Sequence, residues 1–598
     1  MCGINGIIRL GDNLLEKRIV AMNSALSHRG PDASDFKVFD QGAFGHTRLS
    51  IIDVGERSNQ PMSLGHLTLV FNGEIINFKD IKAELSSNFE TESDTEVILR
   101  AVYEKGVQWF LERASGMFAI AIFDSKANEL ILCRDRFGIK PLYFVKTGED
   151  IIFSSEIKAI LKSGLVEAKF NSGVIGEYLM YRHVLEPNTF FEGIHQVKSA
   201  TIITFEADGG QVEELYWKLP NTISEAELSE KELLSELEEK LIDTVEKWAV
   251  SDVPLGSFLS GGVDSSFVSA VLSRSRPDMK TFTIGFAEGG YNEFEHAKVV
   301  ANHIGSDHFE LHEDLESYQK HWDDLIAFKD APLAVPNEVP LALMCRELKN
   351  HFTVVMSGEG ADELFGGYGR IFQSPFDFEQ SGQASFVEFF LERYRYVDES
   401  FVSKYFVSQE KNVERSAFEI LKSSSSNQDF VYRFFHLLHI KGLLARVDMT
   451  SMSASVEARP PFLDHELIEY VYGNIPNSMK VKWKSESSVS EAQRSTADVY
   501  SEELDVPKFP LKKIAERYLP CGIVYRKKMG FPVPLDPWYD ELERIALQEL
   551  EGVECLQGID VNEFLLELAQ QKRPGQLLWM VLNLARFENK YFKKSWVW

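Results

Sequence analysis

Ser260-Gly261-Gly262-Val263-Asp264-Ser265-Ser266 decides the fold of the larger part of this chain. The apolar run Val253 to Leu259 precedes it, and a helix pattern, Phe267 to Leu272, and a further strand pattern, Thr281-Phe282-Thr283-Ile284-Gly285-Phe286, follow. Strand, glycine loop, helix and strand in that order predict a parallel α/β sheet. Two glycines let the backbone approach an anion, the serine hydroxyls donate hydrogen bonds, and the helix N-terminus adds a favourable dipole. The loop has no lysine and lacks the GxxxxGK spacing of NTPases that transfer a γ-phosphate, which disfavours that chemistry. Asp264 would repel a phosphate unless a cation lay between them, and Mg²⁺ bridging to pyrophosphate resolves the conflict. The plainer reading, a serine-rich helix cap, leaves the preceding strand unexplained.

A second loop follows the strand pattern Phe352 to Met356: Ser357-Gly358-Glu359-Gly360-Ala361-Asp362-Glu363-Leu364-Phe365-Gly366-Gly367-Tyr368. Three carboxylates among four glycines, at the end of a predicted parallel strand, fall where α/β folds place ligands. Asp362 is a candidate to share Mg²⁺ with Asp264, and Glu359 to manage a proton or a nascent amine.

Towards the N-terminus the pattern changes. Residues 1 to about 205 read as short strands, such as Leu67 to Phe71, Phe118 to Phe123 and Leu130 to Leu132, bounded by turn signals such as Asn72-Gly73 and Phe137-Gly138. Only Glu16 to Leu26 and Thr95 to Leu111 look helical there. A polar stretch and an acidic helix pattern, Ser224 to Trp248, mark a boundary, giving expected domains of 1–210 and 225–598. From about 370 onward the chain reads as helical and aromatic-rich, with Ser423 to Ser426 and Ser485 to Ser501 expected as exposed loops.

The chain opens Met1-Cys2-Gly3-Ile4. Removal of the initiator methionine would make Cys2 residue one, and an α-amino group of pKa about 8 would serve as base for its thiol. The alternative is a small buried residue.

With 598 residues, 44% hydrophobic and 26% charged, the composition is that of a globular protein of two or more domains. No apolar run approaches the roughly 20 residues of a membrane span and no secretory signal is visible, so a cytoplasmic protein without membrane contact is expected. Five scattered cysteines form neither a disulfide framework nor a zinc site. A formal net charge of -28 argues against nucleic-acid binding.

Together the motifs resemble the bacterial B-type glutamine-hydrolysing asparagine synthetases, a class II glutamine amidotransferase joined to an ATP-pyrophosphatase synthetase domain. The likeness spans nearly the whole chain. It includes Met1 to Ile4, His28-Arg29-Gly30-Pro31-Asp32, Arg48 to Ile51, Phe71-Asn72-Gly73-Glu74-Ile75, Ser93-Asp94-Thr95-Glu96, Arg134 to Leu142, both glycine loops, and Val456 to Asp464. The implied fold is an α+β N-terminal-nucleophile hydrolase sandwich (αββα), then an α/β parallel-sheet ATP-pyrophosphatase domain with a helical C-terminal region. In the first domain the resemblance implies Cys2 as nucleophile on glutamine, Asn72 and Gly73 as oxyanion donors, Arg48 on the glutamine α-carboxylate, and Asp94 with Glu74 on its α-ammonium. In the second it implies ATP as substrate, with adenine near Leu259 and Ile284 and phosphates on Ser260, Gly261, Gly262, Asp264, Ser265, Ser266, Ser357 and Gly358. Asp264 and Asp362 would hold Mg²⁺, Lys508 would be the catalytic lysine, and Arg526, Lys527 and Lys528 would add charge or form a solvated basic turn. Aspartate would be adenylated and amidated by channelled ammonia; a homodimer is what the family suggests.

The synthetase half departs from the family pattern at Val335, where an acidic residue is usual, at Leu341, where a hydroxyl is usual, and at Pro460, and it carries the long Ser485 to Pro507 segment. The alternative is therefore a related glutamine-dependent amidotransferase acting on another carboxylate, such as a surface-polysaccharide sugar acid or a specialised metabolite. A non-catalytic relative would have lost some of Cys2, Asp264, Glu359 and Asp362, and all are present.

Overall fold

A computed structural model describes residues 2–9, 12–223, 225, 228–407, 410–495 and 501–593. Two six-stranded antiparallel sheets form the N-terminal unit. One runs His195–Gln196, Tyr143–Thr147, Asp150–Ser154, Gly3–Ile8, Gly42–Arg48, Ala33–Phe39; the other Gln211–Leu215, Thr201–Phe205, Glu129–Arg134, Gly116–Asp124, Leu67–Ile75, Met62–Leu64. Side chains alternate between the faces of a strand. Ala119, Ala121 and Phe123 therefore pack with Ile4, Phe44, Val70, Phe153 and Ile203 between the sheets, while Phe118, Ile120 and Ile122 join the core on the other face. With both faces covered, Phe118 to Phe123 reads as an unbroken apolar run.

Helices close both outer faces, Leu15–Ala25 against the first sheet and Asp94–Lys105 against the second, giving the expected αββα sandwich. The single helix expected over Thr95 to Leu111 is two, Asp94–Lys105 and Val107–Arg113, broken at Gly106 with φ 90°. Three further helices, Phe78–Ala83, Ile157–Lys162 and Ile175–Tyr181, are too short to show a clear period in sequence. The edge strand Gln211–Leu215 pairs with Thr201–Phe205, which carries the first unit past residue 210.

In the second unit five parallel strands lie in the order Asp307–Glu313, Lys280–Phe286, Leu255–Phe258, Val354–Met356, Glu457–Arg459. Leu255–Phe258 comes first in the chain and sits in the middle. The connections thus depart in opposite directions on either side of the gap between Leu255–Phe258 and Val354–Met356, the switch point at which such sheets bind ligands. Helices dominate the remainder. The stretch expected as an exposed loop from Ser485 contains a helix, Glu486–Ala492, whose first turn is capped by Ser485 Oγ; residues 496–500 of it lie outside the described residues. No helix among the described residues is long and apolar enough to cross a membrane.

Candidate active sites

The first site lies where the two sheets of the sandwich present Cys2 and Asn72 to each other. Cys2 precedes the strand Gly3–Ile8 and is buried. Its backbone N–H donates to Asn72 Oδ1 at 3.1 Å, and its carbonyl accepts from Arg29 Nε at 3.1 Å. Burial pushes the thiol pKa up, while the Leu49 N–H and the Arg48 cation pull it down. Asn72 is fully buried, and its Nδ2 has no partner among the described residues. A buried orphan donor is costly unless a ligand oxygen meets it, and a developing oxyanion would be such an oxygen. Gly73 follows with φ 152°, and a Cβ there would lie 2.1 Å from the Met117 carbonyl oxygen, so only glycine fits.

Glu74 and Asp94 stand as two buried carboxylates. Asp94 accepts from the Ile75 N–H at 3.1 Å, and burial raises its pKa to about 6. Burial and the neighbouring Asp94 hold Glu74 well above the usual carboxylate range, and its Oε1 has no partner among the described residues. Such a pair is suited to an ammonium ligand, whose charge would restore both to the ionised form. Arg48 is differently engaged: it donates to the Gly55 carbonyl at 2.7 Å, Asn59 Oδ1 at 2.8 Å and the Asp53 carbonyl at 2.6 Å. A bidentate grip on a ligand carboxylate would have to displace these loop contacts.

The second site is a cavity of about 490 Å³ at the switch point. Leu259, Ile284, Phe258 and Phe282 form an apolar wall, and Ser260, Gly262, Asp264, Ser265, Ser357 and Gly358 line it beside them. Gly261, just behind, has φ 69°, and a Cβ would lie 2.6 Å from the His296 backbone. Ser266 is buried within the helix Val263–Ser275, its Oγ without a partner among the described residues. Gly358 packs against the first loop, where a Cβ would meet the Ser265 nitrogen at 2.9 Å.

Lys508 Nζ joins the two loops, 2.5 Å from Asp264 and 2.7 Å from Asp362, and Lys528 reaches Asp362 at 2.6 Å. These cations hold the Asp362 carboxyl far below the usual range, and the two carboxylates in turn raise the Lys508 pKa against the effect of burial. Asp264 Oδ1 is buried with no hydrogen-bond partner among the described residues. An orphan carboxylate oxygen, on a residue that shares Lys508 with the Asp362 carboxylate, is a hard donor that suits Mg²⁺. Among the described residues no cluster of three or more His, Cys, Asp or Glu could hold a metal alone, so the remaining ligands would be phosphates and water.

Glu359 forms an ion pair with Arg446, which also donates to Asn337 Oδ1 at 3.1 Å. Of the basic turn, Arg526 and Lys528 line the cavity, with Arg526 donating to the Gly261 carbonyl at 2.7 Å, while Lys527 points outward. Val335 and Leu341 line the cavity, so both departures face the substrate space. Asp330, at the head of that segment, instead pairs with Lys158 of the first unit at 3.2 Å and accepts from Tyr591 at 2.6 Å.

Sequence reading missed Arg29, Arg446 and Asp448 as site residues. Arg446 and Asp448 lie inside the helix Ile440–Met452, two residues apart, with no turn to mark them. Arg29, within the motif His28 to Asp32, links the Cys2 carbonyl to Glu156 at 2.9 Å and Asp448 at 3.0 Å.

Residues 1–217 match the family described as the glutamine amidotransferase domain, and residues 236–586 the family described as asparagine synthase. Glutamine-hydrolysing asparagine synthetase 1 of Bacillus subtilis (strain 168) is 31% identical, with 100% of this chain and 98% of that protein covered. Asparagine synthetase 3 of the same organism is also 31% identical, over 90% of this chain and 88% of that one. A putative asparagine synthetase 2 of Methanocaldococcus jannaschii is 34% identical over 62% of this chain and 76% of that one. Family matches over both halves and 31% identity to a relative along the whole chain, on a fold with a buried Cys2 and loops at a parallel-sheet switch point, lead to one conclusion: the chain belongs to the family of glutamine-hydrolysing asparagine synthetases.

Proposed function

We propose that the protein converts aspartate to asparagine, with glutamine as nitrogen donor and ATP as activator, releasing glutamate, AMP and pyrophosphate. The observation that carries this reading is the pairing, in one chain, of a buried cysteine beside an unpartnered amide donor with a loop-lined cavity at a parallel-sheet switch point. Cys2 attacks the glutamine side-chain amide, and Asn72 Nδ2 with the Gly73 N–H stabilises the oxyanion, a role worth about 2.7–4 kcal/mol per donor in comparable sites. Ammonia leaves, and water releases glutamate from the thioester. Glu74 and Asp94 bind the glutamine ammonium; Arg48 meets its carboxylate.

In the second site the aspartate side-chain carboxylate attacks the α-phosphorus of ATP, giving an acyl-adenylate and pyrophosphate. The apolar wall at Leu259 and Ile284 receives adenine; the two loops receive the phosphates. Lys508 neutralises charge on the departing pyrophosphate. Mg²⁺ held by Asp264 and Asp362 would add charge neutralisation on the same oxygens. Ammonia then attacks the acyl carbon, Glu359 accepts its excess proton, and AMP leaves. A cytoplasmic location and a homodimer belong to the same reading.

The test is ATP- and magnesium-dependent pyrophosphate release with glutamine, comparing aspartate with a panel of other carboxylic acids and identifying products by mass. Asparagine from aspartate is the expected result; no turnover with aspartate alongside turnover of another acid would overturn it.

A further inference from the structure

Arg182 ends the helix Ile175–Tyr181 in a left-handed conformation, φ 63°, and so belongs to the chain that leads out of the N-terminal sandwich. Its side chain nevertheless lines the cavity of the second unit. The guanidinium carbon lies 3.7 Å from the centroid of Tyr396, and Nε is buried with no hydrogen-bond partner among the described residues. Of the other cations lining that cavity, Arg446 pairs with Glu359, Lys508 with Asp264 and Asp362, Lys528 with Asp362 and Arg526 with Glu293, while Lys512 sits 5.9 Å from the Tyr525 ring centroid. No such carboxylate partner is found for Arg182 among the described residues. A cation stacked on an aromatic face, with donors unspent and a cavity before it, is arranged for a ligand anion.

His439 shares this wall. Tyr394 and His439 Nδ1 are 2.6 Å apart, and His439 Nε2 is buried without a partner among the described residues. Burial, Arg182, His183 and Arg446 together hold the imidazole well below its ordinary range against the opposing charge of Asp362, so it is neutral. Its ring lies 4.9 Å from that of Tyr368, whose face carries Lys528 at 4.8 Å. The Arg182 wall is thereby continuous with the loop that carries Glu359 and Asp362.

We propose that Arg182 is a specificity-determining residue that binds a second anionic group of the acceptor, the α-carboxylate when the acceptor is aspartate, with His439 and Tyr396 completing the subsite. The acceptor class is then a dicarboxylic acid, one carboxylate activated and the other held. This rests on the reading of an aspartate acceptor.

The test is a two-by-two comparison of pyrophosphate release by the full-length enzyme: wild type and Arg182→Met, each with aspartate and with 3-aminopropanoate, which keeps the reacting carboxyl and lacks the other. Removing either the arginine or the carboxylate should lower kcat/KM on the order of 10- to 100-fold, chiefly through KM. Removing both should cost no more than removing one, within about twofold. Arg182→Lys, which keeps the charge and loses the fork, should recover part of the loss, and its intermediate KM guards against misfolding of the Met variant. Multiplicative losses would overturn the inference while leaving aspartate as acceptor. Absence of wild-type turnover with aspartate would instead remove the reading beneath it.

Discussion

Single side chains carry the chemistry here through what they lack. Asn72 Nδ2, Glu74 Oε1 and Asp264 Oδ1 are buried and unpartnered among the described residues, and in the proposed reaction an oxyanion, an ammonium and a hard cation respectively would satisfy them. Cys2→Ala should abolish glutamine-dependent asparagine formation and leave formation from ammonium salts in place, measured as product by mass; equal loss of both would contradict separate sites. Asp94 gives a pH prediction. Its carboxyl titrates at about 6 when folded against an ordinary value of 3.8, so folding disfavours the ionised form. The resulting cost is absent below about pH 4, grows as pH rises through 6 and is complete above it. Asp94→Asn should therefore stabilise the ligand-free protein at pH 8, by at most on the order of 3 kcal/mol for a shift from 3.8 to about 6, with no gain at pH 4. The same substitution should weaken glutamine binding. In the wild type the KM for glutamine should rise as pH falls below 6, because the ammonium needs the carboxylate ionised.

Among the elements, the helix Ile440–Met452 joins the two sites. Arg446 on it holds Glu359, and two residues on, Asp448 pairs with Arg29 at 3.0 Å and with Lys140 at 3.4 Å. Arg29 in turn holds the Cys2 carbonyl. All of Asp448, Arg29 and Lys140 are buried. Removing the shared carboxylate leaves two cations buried with less compensation, so Asp448→Asn should cost about 3–5 kcal/mol in denaturant unfolding. A change below about 1 kcal/mol would mean that water or a backbone shift compensates for the lost charge.

For the whole molecule, buried ion pairs cross from the first unit to the second: Arg459 to Glu74 at 3.2 Å, Arg29 to Asp448, and Lys158 to Asp330. One hydrophobic core contains residues of both units, from Ile7 to Tyr591. A shared core and buried interunit charges tie the stability of each half to the other, so calorimetry of the ligand-free protein should give one dominant transition. Two well-separated transitions would show that the halves unfold independently.

Local signals were enough for much of this. Strand, Ser260-Gly261-Gly262 and helix required a parallel sheet with an anion loop, because glycine conformations, helix dipoles and strand patterning are properties of short segments. The N-terminal cysteine and the strand-rich first half were legible for the same reason. Gly106 was not, since a helix break inside an otherwise periodic stretch depends on what the next helix packs against. Nor were the partners of the site residues. Cys2 and Asn72 are separated by 70 positions, Lys508 and Asp264 by 244, and Arg29 and Asp448 by 419. The chain's order thus determined which chemical groups it carries and the secondary structure that holds them. Which groups face one another, which are stripped of water and left with an unmet hydrogen bond, and that Arg182 enters a cavity of the other unit, were decided by packing alone, because burial and charge proximity are set by long-range contacts that no local pattern encodes.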